Sequence, residues 1–430
     1  MATVVRSMTS DEIYDICIIG AGLTGSAAAR WTSSLQKNIK VCLIGPNEPM
    51  EHEWNDPSRS IFGAHYDQGR IVSEVTTSQS TMHESWMILA NRSIRSYKEI
   101  EKESGIHFFN EVGTVFISSE RTVDELLNKC PKKLKRFVGN DLSSAIPSFK
   151  TLDDEMAAIF ESSHAGYINP RAYIAANKLL ASKNGCEMIE DVVTEVRDNT
   201  DNSGKVDEGE ELGRRHQIIR TKSGCVIRAN RVLLCPGAFA NTEHILPNGV
   251  EIDISTTTET CVLVEVQDKD VERLSSLPCF GLKMKDRRDR RNSYCMPAVK
   301  YPDGKYYMKV GHGLDLNRPL VSNDDVTAWY KQQGDISYSS QDLESLVSRL
   351  FTCLKDFQPK SLKVIRCVIT STPTGRFYCD MVTSSHGVIV GGNGLGATVA
   401  DEVGKMGALM IAKGSWDHDL PPELFQLRYK

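Results

Sequence analysis

Residues 14–25 read Tyr-Asp-Ile-Cys-Ile-Ile-Gly-Ala-Gly-Leu-Thr-Gly, and no other stretch constrains the architecture of this chain as strongly. The first six residues form a short, mostly apolar run, which is typical of a parallel strand buried on both faces. An Ala-rich helical pattern follows the glycines, and a second apolar run occupies 41–44. Together they form a unit of about 30 residues, the size of a βαβ crossover.

The three glycines of this turn have separate physical roles. Gly20 permits the tight turn, Gly22 lets the backbone approach a pyrophosphate, and Gly25 lets the helix pack closely on the strand. The helix then directs its amide groups and its positive dipole end at the phosphates. We therefore predict a dinucleotide site that also includes the intervening Leu23 and Thr24.

The second strand of this unit ends in Leu43-Ile44-Gly45-Pro46, without the acidic residue that usually binds the ribose hydroxyls. Nicotinamide enzymes depend on that carboxylate, so the sequence disfavours an ordinary NAD site. An FAD site distributes its hold over many more contacts and tolerates the loss. The motif therefore favours FAD, with Gly45 beside the cofactor.

A second strand-to-helix turn lies near the carboxyl end. The strand-like residues 388–390 lead into Gly391-Gly392-Asn393-Gly394-Leu395-Gly396, and a helix is predicted over 398–412. Between the two turns, residues 251–310 alternate in a β manner, with a clear turn at 301–305. The other predicted elements are helices at 93–106 and 171–183, strands at 112–118, 188–196 and 231–235, and an exposed polar loop at 198–215.

This arrangement predicts an α/β fold in which nucleotide-type turns at both ends of the sequence belong to one domain. We expect a discontinuous, Rossmann-type FAD-binding domain with an inserted, mostly antiparallel β (α+β) substrate domain. The predicted FAD-binding domain comprises 11–92, 156–245 and 355–420, and the predicted substrate domain comprises 93–155 and 246–354.

Composition excludes several other classes of protein. The chain has 430 residues and a formal net charge of -5, which gives no general attraction to nucleic acid or to anionic membranes. One local basic run is interpreted either as a lip that attracts acidic partners or as a solvated loop; it contains Lys283, Lys285, Arg287, Arg288, Arg290 and Arg291.

Targeting and metal-binding patterns are not evident in the sequence. No window approaches the roughly 18 consecutive apolar residues of a membrane helix, and the first residues do not resemble a secretory signal. The chain ends in Leu-Arg-Tyr-Lys rather than a peroxisomal Ser-Lys-Leu. The 12 cysteines form no Cys-x-x-Cys pair and no metal-ligand spacing with histidine. We expect a cytoplasmic protein with reduced cysteines, no bound metal, and a monomeric or simple homo-oligomeric state.

Four stretches, in this order, resemble the monomeric sarcosine oxidase and pipecolate oxidase group of FAD-dependent amine oxidases, within the D-amino-acid-oxidase-like superfamily. They are the first glycine turn, residues 62–71 (Phe-Gly-Ala-His-Tyr-Asp-Gln-Gly-Arg-Ile), residues 367–373 (Cys-Val-Ile-Thr-Ser-Thr-Pro), and the last glycine-rich turn with Asp401-Glu402-Val403-Gly404 after it. The resemblance implies oxidation of the C–H bond next to a secondary or tertiary amine to an imine, with O2 reduced to H2O2.

The resemblance also implies roles for individual residues. Cys367 matches the cysteine that forms a thioether to the flavin 8α-methyl group, although a buried structural cysteine is the alternative. His65 and Arg70 match the loop over the isoalloxazine ring, or Arg70 only ties that loop to backbone carbonyls. Lys309 matches the lysine that promotes reaction with oxygen near flavin N5, unless it is a strand lysine that points to solvent.

Further residues are expected around the same cofactor by this resemblance. Tyr294 and His312 are candidates for the wall of the catalytic pocket, with a packed tyrosine and a core histidine as the alternatives. The remaining expected cofactor contacts are Gly63, Val193, Gly237, Asn393, Gly394, Gly396 and Thr398.

The chain departs from the family where amino-acid-oxidising relatives clamp the substrate carboxylate with two cations. Those positions hold Ser73 and Thr398, and neither side chain provides a charge-assisted pair to a carboxylate. A family tyrosine near the flavinylated cysteine is Ile369 here, which makes the pocket more apolar. The substrate therefore lacks a carboxylate near the amine, or other groups such as Arg376 hold it.

Two other functions fit the same motifs. One is a flavin-dependent amine dehydrogenase that passes electrons to a protein or quinone instead of oxygen, although Lys309 favours the oxidase. The other is an FAD-bound scaffold protein without turnover, which only the missing carboxylate clamp supports.

Overall fold

The structure, a computed structural model, describes residues 13–75, 84–130, 132, 134–199, 216–283, 292–311, 318–332, 347–348 and 353–430. Residues 200–215 of the predicted polar loop, residues 284–291 of the basic run, and His312 lie outside this part of the chain.

The α-helices are α1 (Leu23–Leu35), α2 (Glu84–Ser104), α3 (Glu120–Lys129), α4 (Asp141–Ala145), α5 (Pro170–Lys183), α6 (Val271–Ser275), α7 (Asn323–Lys331) and α8 (Gly396–Lys413). The strands are β1 (Ile13–Ile19), β2 (Val41–Ile44), β3 (Arg70–Ser73), β4 (Phe109–Asn110), β5 (Thr114–Ser119), β6 (Lys135–Val138), β7 (Met156–Glu161), β8 (Ala165–Ile168), β9 (Glu187–Ile189), β10 (Val193–Asp198), β11 (Gln217–Thr221), β12 (Val226–Leu234), β13 (Ser255–Glu265), β14 (Cys279–Lys283), β15 (Asn292–Cys295), β16 (Val299–Lys300), β17 (Tyr306–Gly311), β18 (Pro319–Leu320), β19 (Ser361–Ser371), β20 (Tyr378–Thr383) and β21 (His386–Val390).

The first sheet is built on a parallel core in the order β21-β12-β1-β2-β9. Strand β20 joins its edge antiparallel to β21, and β10 and β11 continue antiparallel from the first half of β12. Strand β1 is buried almost throughout, as expected for a parallel strand covered on both faces. The predicted α/β fold is confirmed.

The two faces of the parallel core have different coverings. Ile16 and Ile18 of β1 pack in one cluster with side chains of α1, α2 and α8. The alternate residues, Cys17 and Ile19, pack with side chains of β10, β11 and β12. Because successive side chains of a strand point to opposite faces, the sheet is the middle layer between helices and a small antiparallel unit.

A buried ion pair joins the helices of this layer. Arg30 of α1 lies 2.5 Å from Asp401 of α8 and donates to Asn177 of α5 at 2.8 Å. The same aspartate accepts a hydrogen bond from Ser96 of α2 at 2.7 Å. Gly404 lets α1 and α8 approach, since a Cβ there would lie 2.6 Å from the Cβ of Ala27.

A second, mostly antiparallel sheet has the order β18-β13-β17-β15-β14-β5-β7-β6, with β16 on β17 and β19 on β13. Strands β3, β8 and β4 form a small third sheet. The domain division stays a prediction. Strands β7 and β19, however, pair within the second sheet although the predicted boundaries placed both in the FAD-binding domain.

Two predicted elements differ from those observed, and one observed helix was not predicted. The single strand predicted at 188–196 is two strands, β9 and β10, which pair with different partners. Asp191 causes the break, because its backbone N–H donates to the Ile189 carbonyl and its side chain accepts from the N–H of Val192. Helix α2 begins at Glu84 instead of residue 93, with Trp86 and Leu89 on its buried face, and α3 lies where no helix was predicted.

None of the helices in the described residues has the length and apolar character to cross a bilayer.

We predict that Gly404→Ala lowers the free energy of unfolding by about 1–3 kcal/mol, because the new methyl group would collide with Ala27 and with the backbone of Ala28. Chemical denaturation followed by circular dichroism measures the change. Lys413→Ala, at the exposed end of the same helix, is the control and should change it by no more than about 0.5 kcal/mol. An unchanged midpoint for Gly404→Ala would contradict this account of helix packing.

Candidate active site

One cavity of about 930 Å³ opens at the carboxyl end of β1. Its wall includes the first glycine turn, residues 61–66 of the loop before β3, part of β19, and the glycine-rich turn before α8. The structure thus brings together segments that are more than 300 residues apart in sequence. Ligands of open α/β sheets bind at this edge, and the volume is at the upper end of the range for ligand pockets.

The first glycine turn has the geometry that a pyrophosphate needs. A Cβ on Gly20, which has φ +108°, would lie 2.2 Å from the carbonyl oxygen of Cys235, and one on Gly25 would lie 1.8 Å from that of Gly20. These two glycines allow the turn and the helix to pack. A Cβ on Gly22 would meet no described protein atom closer than His65 Nδ1, at 3.8 Å. Because Gly22 has no side chain, the space beside it stays open to the cavity. Helix α1 begins at this glycine without a side-chain cap.

The second helix terminus at the cavity belongs to α8. Asn393 has φ +50°, its N–H donates to the Thr370 carbonyl at 2.9 Å, and its side chain accepts from the N–H of Thr372 at 2.9 Å. These bonds fasten the glycine-rich turn to β19. Gly394, Gly396 and Thr398 line the cavity beside it, and α8 also begins without a side-chain cap.

The other sequence-predicted cofactor residues divide into two groups. Those that line the cavity are Leu23, Thr24, Gly63 and Gly237. Gly45 and Val193 do not line it. Gly45 instead accommodates the turn, because a Cβ there would lie 2.7 Å from Ala21, while Val193 opens β10 at the antiparallel layer. Contact of these two residues with the cofactor stays a prediction. Arg376, which the sequence analysis named as another possible partner for a substrate carboxylate, also does not line the cavity.

A buried carboxylate joins the two cations predicted at the site. Asp67 is fully buried, and its Oδ2 accepts from Lys309 Nζ at 2.7 Å and from Arg70 Nη1. Its Oδ1 accepts from the hydroxyl of Tyr301 at 2.7 Å and from the N–H of Gln68 at 2.7 Å. Sequence reasoning missed Asp67 as a site residue, although it lies within the 62–71 stretch. An acidic side chain three residues before an expected cation, Arg70, was the available signal.

Burial by itself would raise the pKa of Asp67, but the charges of Lys309 and Arg70 hold this pKa well below its usual range. Burial likewise opposes the charged form of Arg70, yet the negative charge of Asp67 raises its pKa above the usual value. Lys309 is only 2% exposed, so the solvent-facing alternative for this lysine is wrong. Arg70 lines the cavity and donates to the carbonyls of Ala64 and Gly69, so it ties the loop to the backbone. Its contact with the flavin stays a prediction.

His65 and Tyr294 are neutral polar rings on the cavity wall. Burial, followed by the charges of Lys178, Arg171 and Arg70, lowers the pKa of His65 to about 3, so its imidazole is neutral at physiological pH. Burial raises the pKa of Tyr294 well above its usual value, and the hydroxyl lies 3.2 Å from Cys261 Sγ. Lys309 Nζ is 5.8 Å from the centre of the Tyr294 ring.

The described cysteines that line the cavity are Cys235, Cys261, Cys279 and Cys367. Burial raises the pKa of Cys235 and of Cys261 to about 12, so both thiols stay protonated at neutral pH. Cys367 is half-buried on β19, and Arg70 Nη2 lies 3.7 Å from its Sγ. Its carbonyl accepts from the Trp329 indole at 2.7 Å, which fixes β19 against α7.

Two carboxylates on the wall were also missed by sequence reasoning. Glu161 ends β7 and Glu259 lies on β13, where it is paired in register with Cys367. Both are at most 5% exposed. Their sequence neighbourhoods carry no motif, so the signal that identifies them is their position in the folded chain.

We predict that Asp67→Asn lowers the free energy of unfolding by about 3–5 kcal/mol at pH 7, because it leaves Lys309 and Arg70 without their shared counter-ion. Since the pKa of Asp67 is depressed in the folded state, its stabilisation is present above the unfolded pKa of about 3.9 and is lost as pH falls below it. The difference from wild type should therefore narrow in urea titrations below about pH 4. The exposed Asp153→Asn is the control; a pH-independent difference would sink the assignment.

Three solved structures share this fold at low sequence identity. NikD, described as an unusual amino acid oxidase essential for nikkomycin biosynthesis, has a TM-score of 0.69 at 15% identity, covering 97% of this chain and 98% of its own. L-proline dehydrogenase from P. horikoshii has a TM-score of 0.70 at 16% identity, and the match covers 96% of this chain and 97% of the dehydrogenase. Fructosyl amine:oxygen oxidoreductase (Amadoriase I) from Aspergillus fumigatus has a TM-score of 0.66 at 15% identity, and the match covers 96% of this chain and 89% of the oxidoreductase. A sequence comparison with curated proteins gives no match.

The family model for FAD-dependent oxidoreductases, called DAO, matches residues 15–410, a span that contains both glycine turns and every described residue of the cavity wall. The wall also fits that cofactor, with two uncapped helix termini and an open middle glycine. The chain therefore belongs to the DAO family of FAD-dependent oxidoreductases, and its cofactor is FAD.

Proposed function

We propose that this protein is an amine oxidase that acts on the C–H bond next to the nitrogen of a secondary or tertiary amine. A secondary amine loses two electrons and two protons to become an imine. A tertiary amine loses two electrons and one proton to become an iminium ion and releases the second proton on hydrolysis. In both cases water hydrolyses the product to an aldehyde and a shorter amine. O2 takes up the two electrons and two protons and becomes H2O2. The observation that carries this proposal is the buried Lys309 ammonium on the cavity wall.

FAD, when bound, supplies the two-electron acceptor and the route for these electrons to oxygen. The residues that would hold it are the amide groups at the start of α1 for the pyrophosphate and the 391–396 turn with the start of α8 for the flavin ring system. The position of Cys367 on the cavity wall supports the thioether that the family resemblance implies.

The described wall favours an uncharged reacting amine. His65 is neutral, and the high pKa of Tyr294 keeps its hydroxyl protonated, so neither removes a proton from the substrate as an anionic base. Ile369 adds an apolar surface beside Cys367. The chain contributes proximity, exclusion of water and orientation. Ser73 and Thr398, which also line the cavity, provide no cationic clamp for a carboxylate.

Lys309 supports oxygen as the acceptor. Negative charge develops on O2 as it accepts electrons, and a fixed ammonium in a dry cavity stabilises that charge more strongly than one in water. Asp67 holds the ammonium in place at 2.7 Å and is itself turned away from the cavity wall. The dehydrogenase alternative lacks such a reason for a buried lysine.

The direct test is turnover under air with a panel of N-methyl amines and cyclic imino acids. We expect the purified yellow protein to bleach with an amine under anaerobic conditions and to form one H2O2 per amine oxidised under air. Bleaching with no peroxide would identify a dehydrogenase, and a flavin that no amine bleaches would favour the scaffold.

We predict that Lys309→Met slows reoxidation of the reduced enzyme by O2 by about 100- to 1000-fold, because it removes the charge that stabilises reduced oxygen. The rate of anaerobic bleaching should change much less. Stopped-flow absorbance separates the two half-reactions. Lys300→Met, at an exposed strand position, is the matched control; equal effects on both half-reactions would argue against this role of Lys309.

We predict that the denatured wild-type chain carries the mass of FAD and that Cys367→Ser abolishes this increment while still binding FAD non-covalently. Intact-mass spectrometry after denaturation measures it. Cys261→Ser also alters a cavity cysteine and should keep the full increment. A flavin peptide that lacks Cys367 in a digest would overturn the attachment site.

A further inference from the structure

Part of the cavity wall carries a carboxylate where an acidic substrate would need a cation. Glu161 is 3% exposed at the end of β7 and lines the cavity together with Ser73 and Thr114. Its Oε2 accepts from the Ser73 hydroxyl and from Thr114 Oγ1 at 3.3 Å. The serine that replaces the expected arginine therefore orients a negative group beside the substrate space.

Among the described residues, Glu161 shares its cation with a second carboxylate. Its Oε1 accepts from Lys132 Nζ at 2.8 Å, but the same ammonium lies 2.9 Å from the carboxylate of Glu74. One lysine thus serves two carboxylates, and Glu74 is also contacted by His164, at 3.2 Å, and Asn91. Within the described part of the chain, the carboxylates of Glu161 and Glu74 thus face a single lysine. A buried, incompletely compensated carboxylate favours a cation and disfavours an anion next to it.

The wall around Glu161 is otherwise apolar and suits an alkyl chain. Several apolar residues of the cavity belong to or adjoin strands β3, β5, β6, β7 and β14, among them Ile71, Val75, Val115, Phe116, Leu134, Ile159 and Phe280. Ser73 is three residues beyond Arg70 on β3, about 10 Å along the strand. Because Glu161 contacts Ser73, a spacer of several carbons suits a ligand that extends from Glu161 toward the Arg70 end of this strand.

We infer that the substrate is a diamine or longer polyamine, and this inference rests on the proposed amine oxidation. One nitrogen, uncharged and substituted, reacts at the Lys309 end. The second nitrogen, a protonated amine several carbons away, binds Glu161, while Ser73 and Thr114 fix the carboxylate. Glu161 is therefore a specificity-determining residue, and a substrate with a carboxylate at that end is repelled.

Three probes of matched length test this inference: N-methylputrescine, with a terminal ammonium, N-methylpentylamine, with a terminal methyl group, and 5-(methylamino)pentanoate, with a terminal carboxylate. The readout is the ratio of kcat/KM values within one protein preparation, which is independent of flavin loading and of the folded fraction. We expect the diamine to exceed the alkylamine by about 10- to 100-fold, as for a charge-assisted hydrogen bond, and the acid to be the poorest. Glu161→Gln should bring the ratio of diamine to alkylamine close to one.

Glu265→Gln is the matched control, because Glu265 is a buried, lysine-paired carboxylate on β13 that does not line this cavity. It should keep the wild-type ratio. If Glu161→Gln fails to fold, the ratio of kcat/KM for the diamine to that for the alkylamine in the wild-type protein decides whether a diamine is preferred. An alkylamine oxidised as well as the diamine, or a diamine preference that survives Glu161→Gln, overturns the inference and leaves amine oxidation standing. If none of the probes or other amines bleaches the flavin, the proposed function fails and this inference fails with it.

Discussion

The site depends on one buried carboxylate, that of Asp67, and on the two cations that share it. Removing three charged groups from water is costly, so such a cluster persists only where every lone pair and proton is satisfied. Asp67 meets this condition with hydrogen bonds from Lys309, Arg70, Tyr301 and a backbone N–H. These donors belong to the 61–70 loop, to β17 and to the turn before it. The network therefore fixes the catalytic wall to both the loop and the second sheet.

The cofactor end is fixed by packing rather than by charge. Helices α1 and α8 both begin at the cavity, and both leave their first amide groups without side-chain caps. The two termini converge because α1 and α8 cross closely at Gly404 and are joined by the pair between Arg30 and Asp401. A backbone-lined cradle and a charged catalytic wall thus meet in one cavity, with Cys367 between them on β19.

Local signals made much of this predictable. The glycine turn, both nucleotide-type strands and α1 follow from residues within about 30 positions of one another, where periodicity and turn chemistry act directly. The single strand predicted at 188–196 failed because an aspartate turn, formed by Asp191 with its neighbours, outweighs a continuous β pattern. The family resemblance placed Lys309, Arg70 and Cys367 at the site but gave no partner for any of them.

The sequence by itself determined the FAD-binding unit, the α/β class and the loss of the family's two cations at positions 73 and 398, because each depends on which residue stands at a given position of a local motif. Only the tertiary structure decided which charges meet. Asp67 and Lys309 are 242 residues apart, and Glu161 lies 88 residues from Ser73. Ion pairing and desolvation depend on distances in space between segments that no local pattern relates, so these electrostatics emerge only when the sheets assemble around the cavity.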